Sequence, residues 1–238
     1  MIPVRPLNSK HADRSNGAST GTLYIVSTPI GNLEDITLRA IRILKESDLI
    51  ACEDTRHTKT LTAKYGINTP LTSYFSYNKT QKGDILLGKL KNGATIALVT
   101  DSGTPGISDP GAHIVKLAID NNIPVNSIPG PTALIAALST SGKPTHKFVF
   151  EGFLSNKSSQ RRKRLKELLA EERTIVLYES PHRITKMLED LAEIFGDREI
   201  VLARELTKKF EEIRRDKAAS LLDHFRSTKP RGEFIIII

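Results

Sequence analysis

Glu53-Asp54-Thr55-Arg56 sets two carboxylates and a guanidinium side by side directly after the apolar run LIAC. A carboxylate held in such a place can serve as a general base for a weakly acidic hydroxyl. Glu179 opens a second cluster, Glu179-Ser180-Pro181-His182-Arg183, just past another apolar run, and Arg204-Glu205 follows a third. Each group has an ordinary alternative as a helix N-cap or a solvated ion pair, the latter worth about 0–1 kcal/mol on an exposed surface. The candidate catalytic residues are therefore Glu53, Asp54, Arg56 and Glu179, and the sequence does not choose a base among them.

Three further segments are dense in glycine and proline, and each follows an apolar run: Thr28-Pro29-Ile30-Gly31-Asn32-Leu33, Asp101 to Gly111, and Pro129-Gly130-Pro131-Thr132-Ala133. Glycine lets a ligand approach the backbone and proline fixes the path. Such loops favour a small-molecule site made of main-chain N–H and C=O groups, although any one alone reads as a tight turn. A phosphate-binding P-loop is excluded because residues 103–111 contain no lysine, and Gly103 and Gly106 do not make a dinucleotide fingerprint. Gly106-Ile107-Ser108-Asp109-Pro110 lacks the second glycine of a nucleophile elbow. His11, His57, His113, His146, His182 and His224 have no metal-ligand spacing, so no metal site is expected.

The elements that must position these residues alternate in type. Strands are expected over 22–28, 49–53, 71–75, 96–100, 124–128, 147–153, 174–178, 199–203 and 233–238, with a less regular extended piece at 209–215. Helices are expected from about Asp35, an N-cap candidate, and over 56–65, 80–91, 112–121, 132–140, 160–171, 182–195 and 217–226. In the first helix Ile36, Ala40 and Leu44 make one apolar stripe. The alternation predicts an α/β fold with a mainly parallel sheet. A change of composition near Gly142-Lys143-Pro144 divides it into α/β domains over 21–142 and 143–238, after a flexible leader over 1–20. One cysteine, Cys52, excludes a disulfide framework, and the longest apolar run, Ala133–Leu138, is too short to span a membrane. The first 20 residues lack the apolar stretch of a secretory signal, so a cytoplasmic protein is expected. The net charge of +8 fits a polyanionic partner.

The segments GTLYIVSTPIGNLEDITLRAIRILKESDLIACEDTRHT, LVTDSGTPGISDPGAHIV, IPGPTALIAALSTSG, FEGFL, YESPHR and ARELTKKFEE occur in this order. Together they resemble the RsmI-type branch of the tetrapyrrole-methylase superfamily, the ribosomal RNA small-subunit methyltransferase I enzymes, over about residues 21–238. The resemblance implies two α/β domains with S-adenosylmethionine in the cleft between them, usually in a homodimer. It also implies 2′-O-methylation of a cytidine ribose in the decoding region of 16S rRNA within the 30S subunit. Carried onto this chain, the cofactor would meet Pro29, Gly31, Asp101, Gly103, Thr104, Ile107, Pro129, Gly130, Thr132, Ala133 and Tyr178, with Ala203 near the adenine. Phe75 and Tyr77 stand where many relatives have histidines, so no role of those histidines is carried over. The match stops at Ile238, short of where many relatives continue, and a shorter C-terminal end is expected to weaken RNA docking.

The run KSSQRRKRLK, from Lys157 to Lys166, supplies the phosphate contacts an RNA substrate requires, with Lys157, Arg161, Arg162, Lys163 and Arg164 as the RNA-binding candidates. Leu165, Leu168 and Leu169 are expected to share the buried face of the helix that carries it. Two alternatives remain: a methylase of a small tetrapyrrole-like substrate, and an inactive relative that binds RNA without transferring a methyl group.

Overall fold

The computed structural model describes residues 20–109 and 111–238, so the leader expected over 1–20 lies almost wholly outside the described residues. The chain divides into two compact units between Thr132 and Ala133.

The first unit is a parallel sheet of β1 (Leu23–Val26), β2 (Leu49–Cys52), β3 (Leu71–Ser73), β4 (Ile96–Leu98) and β5 (Val125–Ile128), in the order β3-β2-β4-β1-β5. The central strands β1, β2 and β4 are apolar because helices cover both faces, whereas the edge strands β3 and β5 carry polar residues. Tyr24, Val26, Ile50 and Val99 pack with Ala40, Ile43, Leu44 and Leu61 of α1 (Leu38–Glu46) and α2 (Thr55–Lys64). Leu23, Ala51, Ile96 and Leu98 face the other way, onto Leu86, Leu90, Ile114 and Ala118 of α3 (Lys79–Lys91) and α4 (Gly111–Asp120). The chain steps outward from β1 to β2 and β3, returns through β4, and crosses to β5 on the far side of β1. The connections leaving β1 and β4 thus diverge, and such a reversal opens a crevice beyond the carboxyl ends of these strands.

The first helix begins later than Asp35. Leu33–Asp35 forms one 3-10 turn capped by Asn32, whose Oδ1 accepts the Glu34 N–H at 3.1 Å. Thr37 then caps α1 by accepting the Ala40 N–H at 3.0 Å. Between the two, Ile36 is extended and buried, and Ile43 joins Ala40 and Leu44 on the helix stripe.

The second unit has the sheet order β6-β7-β10-β8-β9, from β6 (Phe148–Phe153), β7 (Thr174–Glu179), β8 (Glu199–Arg204), β9 (Glu212–Lys217) and β10 (Phe234–Ile237). The expectation of mainly parallel pairing fails here. β6 and β7 are parallel, but β8 and β9 form an antiparallel hairpin, and β10 runs against both β7 and β8. The tetrapeptide of β10 is buried throughout, as a central strand covered on both faces requires. Phe234 and Ile236 pack under α6 (Ser158–Glu167), α7 (Ile184–Phe195) and α8 (Ala218–Ser227). On the opposite side α5 (Ala133–Thr140) lies against β10. Two hydrogen-bonding groups fix α5 within this unit: the Leu134 N–H donates to the Tyr178 hydroxyl at 2.9 Å, and Arg215 donates to the Thr140 and Ser141 carbonyls at 2.5 and 3.1 Å. The division therefore falls before α5, upstream of the Gly142–Lys143 boundary that composition suggests.

The basic run forms α6, but its arginines are largely consumed within the fold. Arg161, 4% exposed, donates through Nε to Asp190 Oδ2 at 2.7 Å. Arg162 bonds Asp190 at 2.9 Å and also Glu193, while Arg164 pairs with Glu151 at 2.6 Å and Glu167 at 2.9 Å. The buried face is accordingly Arg161, Leu165 and Leu168, whereas Leu169 is 42% exposed. Arg161 is thus not a phosphate contact, because reaching one would break a buried ion pair. Lys157 and Lys163 are exposed and, among the described residues, in no ion pair. Removing one partner of a buried pair strands the other charge, at about 3–5 kcal/mol. Asp190→Ala is expected to lose that much in urea unfolding, and Arg161→Met combined with Asp190→Leu to recover most of it. Equal losses in both variants would contradict the assignment.

Candidate functional site

The three glycine–proline loops meet at the carboxyl edge of the first sheet, beyond adjacent strands β4, β1 and β5. Thr28 and Gly103 exchange backbone hydrogen bonds of 2.9 and 3.1 Å in an isolated antiparallel bridge. The Thr28 hydroxyl, itself buried, donates to the Thr100 carbonyl at 3.0 Å. Ser27 Oγ lies 2.8 Å from Thr104 Oγ1, which donates to the Pro131 carbonyl at 3.2 Å. These contacts tie the Pro29–Gly31 loop, the Asp101–Ile107 loop and the Pro129–Thr132 turn into one main-chain surface. Gly103 has φ +83°, a conformation other residues rarely adopt, and a Cβ there would meet the Ile30 side chain at 3.4 Å. At Gly130 a Cβ would press on Ser27 at 3.0 Å. Ile107 closes a turn by donating to the Thr104 carbonyl and is 40% exposed.

Strand β2 brings the carboxylates to the same edge, because it neighbours β4 in the sheet. Glu53 is half-buried and accepts from Thr100 Oγ1 at 3.2 Å. Burial pushes its carboxyl above the ordinary range, the Asp101 charge adds to this, and the Thr100 hydrogen bond opposes both. Asp101 Oδ1 accepts the Asp54 N–H at 3.1 Å. Asp54 itself caps α2, accepting the Arg56 N–H at 2.8 Å and pairing with the Arg56 guanidinium at 2.7 Å. Those bonds hold its carboxyl down at about 2. The two neighbouring acids are thus driven apart, the Glu53 carboxyl above its ordinary range and the Asp54 carboxyl below it.

Glu179 is not part of this arrangement. It belongs to the second unit, where it stands in one row with Phe234 and Arg204 on the face of the sheet covered by α6, α7 and α8. Its carboxylate accepts the Ser180 N–H at 2.7 Å and lies 3.1 Å from Arg183, with burial raising its pKa. Tyr178 and Ala203 flank Ile235 in the next row, on the opposite face, because side chains alternate along a strand. The Tyr178 ring contacts Phe150 and Phe153 edge-on at 4.9 and 5.6 Å, and its hydroxyl accepts from the first turn of α5, beside Ala133. The structure therefore groups Tyr178, Ala203 and Ala133 within the second unit and turns Glu179 away from them. Sequence reasoning overlooked Ser27 and Thr100 as the links between loops. Their signal is a hydroxyl residue ending each apolar strand run, TLYIVS and IALVT.

The model for tetrapyrrole (corrin/porphyrin) methylases matches residues 22–222. The ribosomal RNA small subunit methyltransferase I of Synechocystis sp. is 50% identical over 219 residues, covering 92% of this chain and 78% of that protein. The chain belongs to the tetrapyrrole methylase family, in its ribosomal RNA small subunit methyltransferase I branch. Another member of the branch, from Thermotoga maritima, is 47% identical, with 92% of this chain and 98% of that protein covered. The family fold recurs in uroporphyrin-III C-methyltransferase from Thermus thermophilus, solved with S-adenosyl homocysteine. That structure has a TM-score of 0.65 at 20% identity and covers 91% of this chain and 97% of that one.

A carboxyl-carbon NMR titration is expected to place the Asp54 midpoint at about 2 and that of Glu53 above its usual ~4.3. A raised folded-state pKa favours folding while the group is protonated and loses that advantage as pH rises through it. Glu53→Gln is therefore expected to melt higher than the parent at neutral pH, with the gap closing below about pH 4.3. A Glu53 midpoint at or below its usual value would contradict the assignment.

Proposed function

We propose that this chain methylates the ribose 2′-hydroxyl of a cytidine in the decoding region of 16S rRNA, in the 30S subunit, using S-adenosylmethionine. The observation that carries the reading is the carboxyl edge of the first sheet, where a glycine-permitted main-chain surface stands beside a carboxylate with a raised pKa. The branch to which the chain belongs supports a small-subunit rRNA as substrate, and the S-adenosyl homocysteine of the Thermus thermophilus structure supports the cofactor; the cytidine and the 2′-oxygen follow from the resemblance. The resemblance extends the proposal to a homodimer working in the cytoplasm.

The residues present fit the cofactor. Pro29, Gly31, Gly103, Thr104, Ile107, Pro129, Gly130 and Thr132 offer backbone groups, and Asp101 a half-buried carboxylate that suits a cationic ligand. Ala133, Tyr178 and Ala203, which the resemblance also names, belong to the second unit. When bound, S-adenosylmethionine supplies a methyl group on a positively charged sulfur. The reaction is then an in-line displacement in which the 2′-oxygen gains the methyl group and the C–S electron pair remains on sulfur. Most of its acceleration comes from positioning. Glu53 is the base this chain offers: Thr100 holds Oε2, and Oε1 has no hydrogen-bond partner among the described residues and takes the hydroxyl proton. Asp54 and Arg56 position it indirectly, by starting α2 where β2 ends. Glu179 has a structural role in the second unit.

Labelled S-adenosylmethionine and 30S subunits lacking ribose methylation, followed by nuclease mapping, test the reading. Label on a decoding-region cytidine 2′-oxygen is the expected result. Transfer to a small tetrapyrrole-like acceptor instead, or RNA binding without release of S-adenosylhomocysteine, would overturn it. Glu53→Gln is expected to lower kcat roughly 10²- to 10⁴-fold with cofactor affinity unchanged.

A further inference from the structure

Tyr77 is 97% exposed, an unusual place for an aromatic ring in a chain that buries most of its apolar bulk. It lies in the short segment between β3 and α3. That segment leaves the sheet beside the carboxylates: Ser73 is in register with Cys52, and the Tyr74 N–H donates to the Cys52 carbonyl at 2.7 Å, one residue before Glu53. The segment is held in shape. Asn78 Oδ1 accepts the Phe75 N–H at 2.8 Å, the Asn78 N–H donates to the Phe75 carbonyl at 3.0 Å, and Asn78 Nδ2 reaches the Ser73 carbonyl. Phe75 meets the Tyr77 ring at 6.5 Å with the planes 65° apart, an edge contact that leaves a Tyr77 face open to solvent. Exposed basic side chains stand at this end of the sheet: Lys79 at the start of α3, in no ion pair among the described residues, and Arg56 in the first turn of α2, paired with Asp54.

An open aromatic face on a hydrogen-bonded loop, with a lysine close by in sequence, is the arrangement that binds single-stranded nucleic acid, with bases stacking on rings while phosphates meet cations. We infer that Tyr77, supported by Phe75 and accompanied by Lys79, is a stacking platform for an unpaired base of the RNA acceptor strand. It lies on the β3 side of Glu53, opposite the strands whose loops are assigned to the cofactor. The substrate class rests on the function proposed above; the platform itself rests on the ring, its exposure and its place beside Glu53. Tyr77 is a positioning residue, since it delivers the strand and moves no proton.

The test compares Tyr77→Ala, Tyr77→Phe and Lys79→Ala with the parent in two assays: methyl transfer to 30S subunits, and anisotropy of a labelled single-stranded RNA oligonucleotide that requires no catalysis. In Tyr77→Ala the KM for 30S and the oligonucleotide Kd are expected to rise roughly 5- to 150-fold. Its kcat, melting temperature and affinity for S-adenosylhomocysteine should remain as in the parent, and Tyr77→Phe should restore binding. Lys79→Ala should flatten the salt dependence of binding, and Tyr77→Ala should leave that slope in place. Parental KM and Kd in Tyr77→Ala would overturn the platform even if the parent methylates rRNA. Conversion of a dimer to a monomer by Tyr77→Ala would assign the ring to an interface between copies and also overturn it. Weakened oligonucleotide binding in a parent that transfers no methyl group to rRNA would uphold the platform and remove the proposed reaction.

Discussion

Thr28 and Gly103 pair in antiparallel fashion at the end of a sheet whose strands are all parallel. The bridge forms because the chain leaving β4 turns back on itself, and it turns because Gly103 accepts φ +83°. Without it, the loops after β1 and β4 would leave in opposite directions, as the sheet order directs. The hydroxyls of Ser27, Thr28 and Thr104 extend the tie to Pro131 and Thr100, and Thr100 in turn holds Glu53. The chemistry assigned to the edge therefore depends on backbone pairing as much as on any acidic side chain. Buried hydroxyls of this kind tolerate little disturbance, since each loses its partner if a loop moves.

The second unit applies charge differently. Its basic helix looks like a nucleic-acid contact when read as a string of cations, yet most of the guanidinium groups are neutralised by Glu151, Glu167, Asp190 and Glu193. Arginine suits this use because its planar fork can bond two carboxylates at once. Positive charge available to a polyanion then comes from exposed lysines, Lys157 and Lys163 here and Lys79 in the first unit, while Arg56 is paired with Asp54.

Much of the architecture was legible because strand and helix periods differ, and each expected strand and helix has a counterpart within a few residues. The exceptions have physical causes. Asp35 looked like a cap, but Thr37 wins because the buried Ile36 holds the chain extended before the helix starts. The antiparallel half of the second sheet was invisible because an apolar tetrapeptide such as FIII fits a buried strand of either direction. At the edge of the first sheet, glycines and prolines mark the loops that the structure brings together, and the carboxylates of Glu53 and Asp54 follow β2 as the sequence suggests. What sequence could not give was the division of labour: Asp54 is committed to its helix, Glu53 to a half-buried place beside Asp101, and Glu179 to the opposite face from Tyr178. Those differences arise from strand order and side-chain alternation between segments far apart in the chain.

Hydrogen–deuterium exchange of the protein with and without S-adenosylhomocysteine tests the assignment of the cofactor to this edge most directly. The expected result is slowed exchange concentrated at residues 28–31, 101–107 and 129–133, with the helices α6 to α8 unchanged. Protection confined to other segments, with those three loops exchanging as in the free protein, would contradict it.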